Sequence, residues 1–376
     1  MPQRTMSQRI GPPFRADHVG SLLRPQRLLD ARAAKSRGAL DAAGLRDVED
    51  DCIREVVKLQ EDLGYRGITD GEFRRTWWHL DFIQQFANVT LTAPRIKARF
   101  HSEEGDVELL APAVSVTGKL ARPKPIMAAD FSFLKSATRQ TAKVTIPSPS
   151  VLHFRGGRAA IDQVAYPEME GFYADLARIY SEEVAELGRL GCTNLQIDEV
   201  NLAYLCDPNL REQVRGMGED PKTLPRTYAR LINGAIAARP PGMTVSMHLC
   251  RGNFRSAWVA EGGYDPVADV LFNEIDVTGY FLEYDSPRAG GFTPLRFVPK
   301  GKIVVLGLVT TKSGVLESKD DLKRRIDEAA KYVPLDQLAL SPQCGFSSTV
   351  EGNKVTLEDE IAKLRLVAEV AREVWG

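Results

Sequence analysis

The chain has 376 residues, of which 43% are hydrophobic and 8% aromatic, and its formal net charge is −1. This composition predicts an ordinary soluble globular protein with a large hydrophobic core. The absence of a basic excess argues against general nucleic-acid binding. No apolar run reaches the roughly 18 residues that a membrane span requires. We therefore expect neither nucleic acid nor a membrane among its partners.

The N-terminal sequence and the cysteines both bear on the compartment. Residues 1–14, MPQRTMSQRIGPPF, are slightly basic but lack an apolar stretch, so we do not expect a secretory signal there. Five cysteines is a sparse, odd number for a chain of this length: Cys52, Cys192, Cys206, Cys250 and Cys344. This usage is typical of a reducing compartment, and we expect the protein to be cytoplasmic.

Short apolar runs alternate with amphipathic helical stretches along the chain. The predicted strands cover residues 16–21, 66–72, 143–150, 193–199, 243–250, 277–285, 302–309 and 338–345. The main predicted helices cover residues 45–64, 170–191, 318–333 and 356–375, with Ser318 as an N-cap. Eight strands alternating with helices predict one α/β catalytic domain over residues 1–376, a (β/α)8 TIM barrel. A doubly wound open sheet is the alternative.

A long segment, 76–142, separates the second and third predicted strands. It contains WWHLDFIQQF, an apparent hairpin between about residues 88 and 120, and a short helical pattern near 130–138. The segment is too apolar and too regular for a disordered linker. We predict that it is an insertion within the barrel that covers one face as a lid.

Polar side chains gather at the C-terminal ends of the predicted strands. They are Ser21, Asp70, Glu72, Asp198, Glu199, His248, Cys250, Glu283 and Cys344. The C-terminal face is where TIM-barrel enzymes assemble their active sites from several strand ends. The pattern therefore predicts a site on that rim.

His248 and Cys250 are two residues apart on a predicted strand, so their side chains point to the same side. Zinc accepts imidazole nitrogen and thiolate sulfur, and catalytic zinc sites use three protein ligands with one open position. Cys344 is a candidate third ligand, and Glu283 is a candidate to fill the open position until a substrate thiol displaces it. The alternative is a buried core pair, because free cysteine often behaves as a small hydrophobe. Cys52, Cys192 and Cys206 fit that description.

Six motifs in fixed order resemble the cobalamin-independent methionine synthase family, specifically its catalytic C-terminal half and short single-barrel relatives. They are HVGSLLRP (18–25), DGEFRR (70–75), LQIDEVNLAYL (195–205), HLCRGNF (248–254), FLEYDSPRAG (281–290) and SPQCGF (341–346). The resemblance implies zinc bound by His248, Cys250, Glu283 and Cys344. It also implies a pocket for the amino-acid part of homocysteine at Ser21, Glu72 and Asp198, with Glu72 and Asp198 as catalytic candidates.

Two positions depart from the family pattern. The family's folate-stacking tryptophan follows the third strand, where this chain has Pro149. Its proton-donating histidine follows the seventh strand, where this chain has Thr310, Thr311 and Lys312. Trp77, Trp78 and His79 are candidate substitutes within the insertion. The methyl donor therefore stays open.

The resemblance implies a zinc-dependent methyltransferase that moves a methyl group to a small thiol, with homocysteine giving methionine. One alternative is a zinc-dependent thiol alkyltransferase of the epoxyalkane:coenzyme M transferase type, in which basic residues bind a sulfonate. Five arginines near the motifs are available for that role: Arg24, Arg74, Arg75, Arg251 and Arg255. Corrinoid-protein-dependent methyltransferases are similar, and a barrel that only stores zinc is a non-enzymatic alternative. The sequence leaves the oligomeric state open, and a homo-oligomer is one of the alternatives.

Overall fold

The computed structural model describes residues 11–102 and 104–376, so most of the segment 1–14 lies outside the described residues. A parallel sheet of seven strands, in the order β1-β4-β5-β6-β7-β8-β9, forms its centre. The strands of this sheet are β1 (Gly67–Ile68), β4 (Thr141–Pro147), β5 (Asn194–Glu199), β6 (Thr244–Leu249), β7 (Gly279–Glu283), β8 (Ile303–Val309) and β9 (Leu338–Pro342).

The start of the described chain closes the sheet into a barrel. Ala16 forms a parallel bridge with Leu340 of β9, and the amide of Leu22 donates to the carbonyl oxygen of Gly71, just after β1, at 3.1 Å. This segment therefore occupies the eighth position, and the fold is the predicted TIM barrel.

The structure nevertheless differs from the prediction at the first two predicted strands. The prediction of a regular strand over 16–21 was wrong, because Asp17 accepts hydrogen bonds from the amides of Phe14 and His18, and these local bonds replace a ladder. The second strand covers only Gly67–Ile68. It ends early because the backbone turns at Gly71 and Glu72, which have φ values of 65° and 61°.

Burial on both faces explains why the strands are apolar runs instead of alternating patterns. Every residue of β5, β7, β8 and β9 is buried. A separate apolar cluster contains Val19, Phe281, Ile303, Val305 and Ala339. The main core is much larger and includes the apolar faces of the helices.

The α-helices are α1 (Gln26–Ser36), α2 (Ala42–Asp62), α3 (Leu80–Ile83), α4 (Ala128–Ala137), α5 (Ser150–Phe154), α6 (Met169–Arg189), α7 (Asn201–Tyr204), α8 (Pro208–Gly216), α9 (Leu224–Ala235), α10 (Lys319–Ala329) and α11 (Leu357–Trp375). The predicted cap is confirmed, since the Ser318 side chain accepts from the amide of Asp321. Thr356 and Asp359 form a capping box at α11. In the described part of the chain, none of the helices is long and apolar enough to cross a membrane.

The insertion between β1 and β4 contains α3, α4 and an antiparallel hairpin made of β2 (Ala87–Phe100) and β3 (Val107–Ala121). The hairpin predicted from the sequence is therefore confirmed. Its tip is fixed to the barrel, because His101 and Trp258 exchange two backbone hydrogen bonds of 2.6 and 2.8 Å. The rings of Phe100 and Phe254 also pack together, with centroids 5.4 Å apart. The insertion bounds of 76–142 remain a prediction.

Candidate metal centre and substrate pocket

Four side chains meet at the C-terminal mouth of the barrel: His248, Cys250, Glu283 and Cys344. Each offers a ligand atom, and these four atoms lie within 4.8 Å of one another. The two sulfur atoms are 3.5 Å apart. All four residues are buried. The structure thus brings together the four residues predicted as metal ligands.

Strand geometry explains how residues distant in sequence come together. His248 lies in β6 and Glu283 ends β7, while Cys250 and Cys344 follow β6 and β9 closely. Parallel strands place their C-terminal ends on one rim. The loops after β6 and β9 bring the two sulfur atoms within 3.5 Å of each other.

Glu283 is held in place by its neighbours. The backbone amide of Arg251 donates to Glu283 Oε1 at 2.9 Å, and the backbone amide of Glu283 donates to the Tyr264 hydroxyl at 3.0 Å. The Arg251 guanidinium stacks on the Tyr264 ring, 4.4 Å from its centroid. One carboxylate oxygen is thereby fixed while Glu283 Oε2 has no hydrogen-bond partner.

The side chains of the cluster shift one another's pKa values. The pKa of Cys344 lies well below its usual range because it is hydrogen-bonded to Cys250 and lies beside His248. The pKa of Cys250 is raised well above its usual range by the same hydrogen bond and by burial. Burial, and then Cys344, raise the pKa of Glu283. Among the described residues, the ring of His248 has no nitrogen or oxygen hydrogen-bond partner, and it lies beside Cys344. Buried groups of this kind are costly without a compensating cation or hydrogen bonds.

Two carboxylates lie in the same pocket as this cluster. Asp198 lies beside His248, because β5 and β6 pair these two residues in register. Burial, and then the nearby charge of Glu72, raise the pKa of Asp198 to about 7. Glu72 Oε1 accepts a 2.8 Å hydrogen bond from the Thr145 hydroxyl, and its Oε2 lies 3.5 Å from Arg75 Nη1. Both acids line the pocket, as does Ser21.

Ser21 reaches the pocket because Gly345 leaves room for it. A Cβ atom at Gly345 would lie only 1.9 Å from Ser21 Oγ. The amide of Phe346 donates to the Ser21 carbonyl oxygen at 2.9 Å. The glycine after Cys344 therefore lets the first and last barrel segments meet at the site.

Aromatic side chains form the wall of the pocket. Trp77, Trp78 and His79 all line it, together with Phe100 and Phe254. Trp78 packs directly against the buried group that contains the two cysteines. Its amide donates to the carbonyl oxygen of Ser348 at 3.2 Å, which fixes this part of the insertion beside the loop after β9.

Three positions discussed from the sequence have no direct place in the pocket. Pro149 precedes α5 and does not line the cavity. Lys312, which follows β8, donates to Asn253 Oδ1 at 3.1 Å and lies behind the pocket wall. Glu199 caps α7, since its Oε1 accepts from the amides of Asn201 and Leu202.

None of the five arginines considered as anion ligands lines the pocket. Arg24 donates to the carbonyl oxygens of Glu72 and Arg75, and Arg74 pairs with Glu49 and Asp50. The remaining arginines are Arg75, which is hydrogen-bonded to Thr145, the fully buried Arg251, and Arg255, whose φ is 49°.

The pocket also contains residues that were not predicted from the sequence. Arg155, Tyr204 and Asn253 line the pocket. Asn253 donates to the carbonyl oxygen of Gly345 at 2.8 Å and so links the loops after β6 and β9. Asn253 lies inside the motif HLCRGNF, so its position was a usable signal. Arg155 lies outside every motif, and no sequence signal identified it.

A family model described as "Cobalamin-independent synthase, Catalytic domain" matches residues 14–373. The chain therefore belongs to the cobalamin-independent synthase family, and the resemblance seen in the motifs is confirmed.

The relatives agree with this assignment. The chain is 45% identical to the uncharacterized protein YxjH of Bacillus subtilis, over 99% of this chain and 97% of that protein. It is 25% identical to a methionine synthase of Pyrococcus abyssi, over 87% of this chain and 85% of the relative. A solved structure from Listeria monocytogenes, a candidate vitamin-B12-independent methionine synthase, has 36% identity and a TM-score of 0.75, covering 97% of this chain and 98% of that one. The protein is thus methionine-synthase-like.

Proposed function

We propose that this protein is a zinc-dependent S-methyltransferase that converts homocysteine to methionine. The observation that carries the proposal is the shared pocket. It holds two carboxylates, Glu72 and Asp198, next to a cluster of two thiols, an imidazole and a carboxylate. Free, buried cysteines also fit the proposed cytoplasmic location.

The donor set fits zinc. Zinc sites in proteins are typically four-coordinate and combine cysteine sulfur, histidine nitrogen and carboxylate oxygen. The ring nitrogens of His248 and Oε2 of Glu283 have no hydrogen bond to a nitrogen or oxygen atom among the described residues, and a metal ion would satisfy them. Harder cations such as magnesium prefer oxygen ligands, which this cluster mostly lacks.

Zinc held there would keep a substrate thiol deprotonated at neutral pH, which makes its sulfur a good nucleophile. Glu72 and Asp198 suit the ammonium group of homocysteine, because both are acidic and buried. In the transfer, a bond forms between the homocysteine sulfur and the methyl carbon while the bond between that carbon and the donor breaks. The thiol proton leaves to solvent or to the demethylated donor.

The aromatic wall suits a donor with a flat ring. Trp78 adjoins the two thiols, and Phe100 and Phe254 cover the mouth from the hairpin side. This arrangement would exclude water and stack a planar group beside the sulfur. A methylfolate donor is consistent with it, with Trp78 in the role that Pro149 cannot perform.

Relatives that are methionine synthases support methyl transfer over alkyl transfer. The Pyrococcus abyssi relative is a methionine synthase. A structure from Shewanella sp. W3-18-1, 20% identical with a TM-score of 0.70, is a B12-independent methionine synthase in complex with selenomethionine. None of the five arginines that the sequence suggested for a sulfonate lines the pocket.

A matrix of substrates tests the proposal. Purified protein loaded with zinc would be given homocysteine, coenzyme M or glutathione, each with methyltetrahydrofolate, methylcobalamin or a small epoxide. We expect methionine to form from homocysteine with a methyl donor. Turnover restricted to coenzyme M and the epoxide would establish the alkyltransferase alternative, and inertness toward all pairs would reject an enzymatic role.

A further inference from the structure

Arg155 is a cation in the pocket without an acidic partner. It follows α5, and its backbone amide donates to the carbonyl oxygen of Val151. Its side chain is half-buried and lines the same pocket as the cysteine cluster. Across residues 11–102 and 104–376, no carboxylate lies within ion-pair distance of its guanidinium. An arginine at such a place is suited to bind an anion, because its planar donors match carboxylates and phosphates.

The neighbours of Arg155 do not neutralise its charge. Burial lowers the pKa of Arg155, and Tyr204 opposes that shift. Tyr204 itself is a neutral phenol at neutral pH, since burial raises its pKa. His79 is neutral as well, because burial and then Arg155 hold its pKa well below the usual range. A guanidinium surrounded by neutral groups favours the arrival of an anion.

The rest of the described pocket wall contains no second basic side chain of the arginine or lysine type. Among the described residues that line the cavity, Arg155 is the sole arginine and no lysine occurs. The other charged side chains there are the acids Glu72 and Asp198, which would repel an anionic group. Arg155 is therefore the one arginine or lysine that an anion would meet on the described pocket wall.

We propose that Arg155 binds the carboxylate of a substrate in this pocket. The inference rests on the proposed function, because both substrates of that reaction carry carboxylates. One source is homocysteine itself, and the other is the glutamate tail of a methylfolate donor. Guanidinium and carboxylate would form a charge-assisted, bidentate pair.

Titration calorimetry on the full-length, zinc-loaded protein separates the two sources. The first pair of probes is homocysteine and 3-aminopropanethiol, which lacks the carboxylate. The second pair is 5-methyltetrahydrofolate and 5-methyl-6-methyltetrahydropterin, which lacks the benzoylglutamate tail. The variants are Arg155→Ala and Arg155→Lys. Arg158→Ala serves as a control three residues away, where the side chain donates to the carbonyl oxygen of Tyr166 at 2.6 Å outside the pocket.

We expect Arg155→Ala to weaken one carboxylated probe by about tenfold or more and its carboxylate-free analogue by less than about twofold. The affected pair identifies the source, and Arg155→Lys should be intermediate. Unchanged binding of both carboxylated probes, equal losses with the analogues, or no binding of either carboxylated probe to the wild type would overturn the proposal. Methyl transfer is measured separately, so its absence would count against the proposed function while the binding result still stands.

Discussion

Asp198 and His248 occupy paired positions on the adjacent parallel strands β5 and β6, and both side chains line the same pocket. Neighbouring strands are about 5 Å apart. A substrate held by Asp198 would therefore present its far end to the cluster around His248 without spanning the barrel. The spacing suits a small amino acid with a terminal thiol.

Replacing Asp198 should affect an amino-acid substrate selectively. Asp198→Asn preserves shape but removes the charge that faces the substrate ammonium, so we expect the KM for homocysteine to rise about tenfold or more. Use of a thiol without an ammonium group, such as coenzyme M, should hardly change. Asp162→Asn is a suitable control, because Asp162 accepts from the amides of Val164 and Ala165 and does not line the pocket. Equal effects on both thiols would argue against an amino-acid pocket.

Trp78 should determine how well the methyl donor binds. Trp78→Ala removes the aromatic surface beside the two cysteines, so the KM for methyltetrahydrofolate should rise about tenfold. Trp78→Phe, which retains a ring, should recover most of the loss. Steady-state kinetics with varied donor at saturating homocysteine measures both. If the alanine variant keeps the wild-type KM for the donor, stacking on Trp78 is ruled out.

The contact between Ser21 and Gly345 predicts a steric effect at the barrel seam. Gly345→Ala would place a Cβ atom 1.9 Å from Ser21 Oγ. We expect a loss of stability on the order of 1–3 kcal/mol from overpacking, together with reduced activity. Gly291→Ala is the matched control, since nothing lies within 4 Å of a Cβ there. Thermal unfolding of both variants is the measurement, and an equal, small change in both would contradict the tight contact.

Glu360 gives the stability of the protein a predictable pH dependence. Its side chain is fully buried in α11, Oε2 accepts from the Leu23 amide at 2.8 Å, and burial raises the pKa from 4.5 to about 8. A carboxyl whose pKa is raised by folding stabilises the protein at low pH, and that contribution is lost as the pH rises through about 8.

Glu360→Gln retains the acceptor but cannot ionise. Relative to the wild type, the variant should therefore gain stability between pH 5 and pH 8.5, on the order of a few kcal/mol at the upper end. Tm values at both pH values measure the gain. Glu358→Gln, an exposed change in the same helix, should show no such trend. A wild type and Glu360→Gln that differ by the same amount at both pH values would refute the buried, neutral carboxyl.

The sequence predicted the barrel because buried parallel strands leave a strong apolar signal. Seven of the eight predicted strands overlap strands in the structure, although the second covers only Gly67–Ile68. The segment at 16–21 did not form one, because the hydrogen bonds of Asp17 to nearby amides are a tertiary detail that periodicity cannot reveal. The helices α1 and α9 were also not predicted from the sequence.

Within the site, spacing and motif context led to His248 and Cys250, and strand-end placement led to Glu283 and Cys344. Arg155 could not be predicted from the sequence, because its lack of an acidic partner among the described residues depends on which side chains fold around it. The interpretation of the arginines near the motifs as anion ligands failed for the same reason. Arg24 and Arg74 are engaged in hydrogen bonds and ion pairs that only the folded chain defines.

Metal analysis combined with X-ray absorption at the zinc edge tests the central claim most directly. For the wild type, we predict one zinc per chain with two sulfur and two nitrogen or oxygen neighbours. Cys250→Ala and Cys344→Ala should lose the metal and the activity together, whereas Cys52→Ala, a change outside the cluster, should keep both. Full zinc occupancy in Cys344→Ala, or a zinc spectrum without sulfur neighbours in the wild type, would contradict the account.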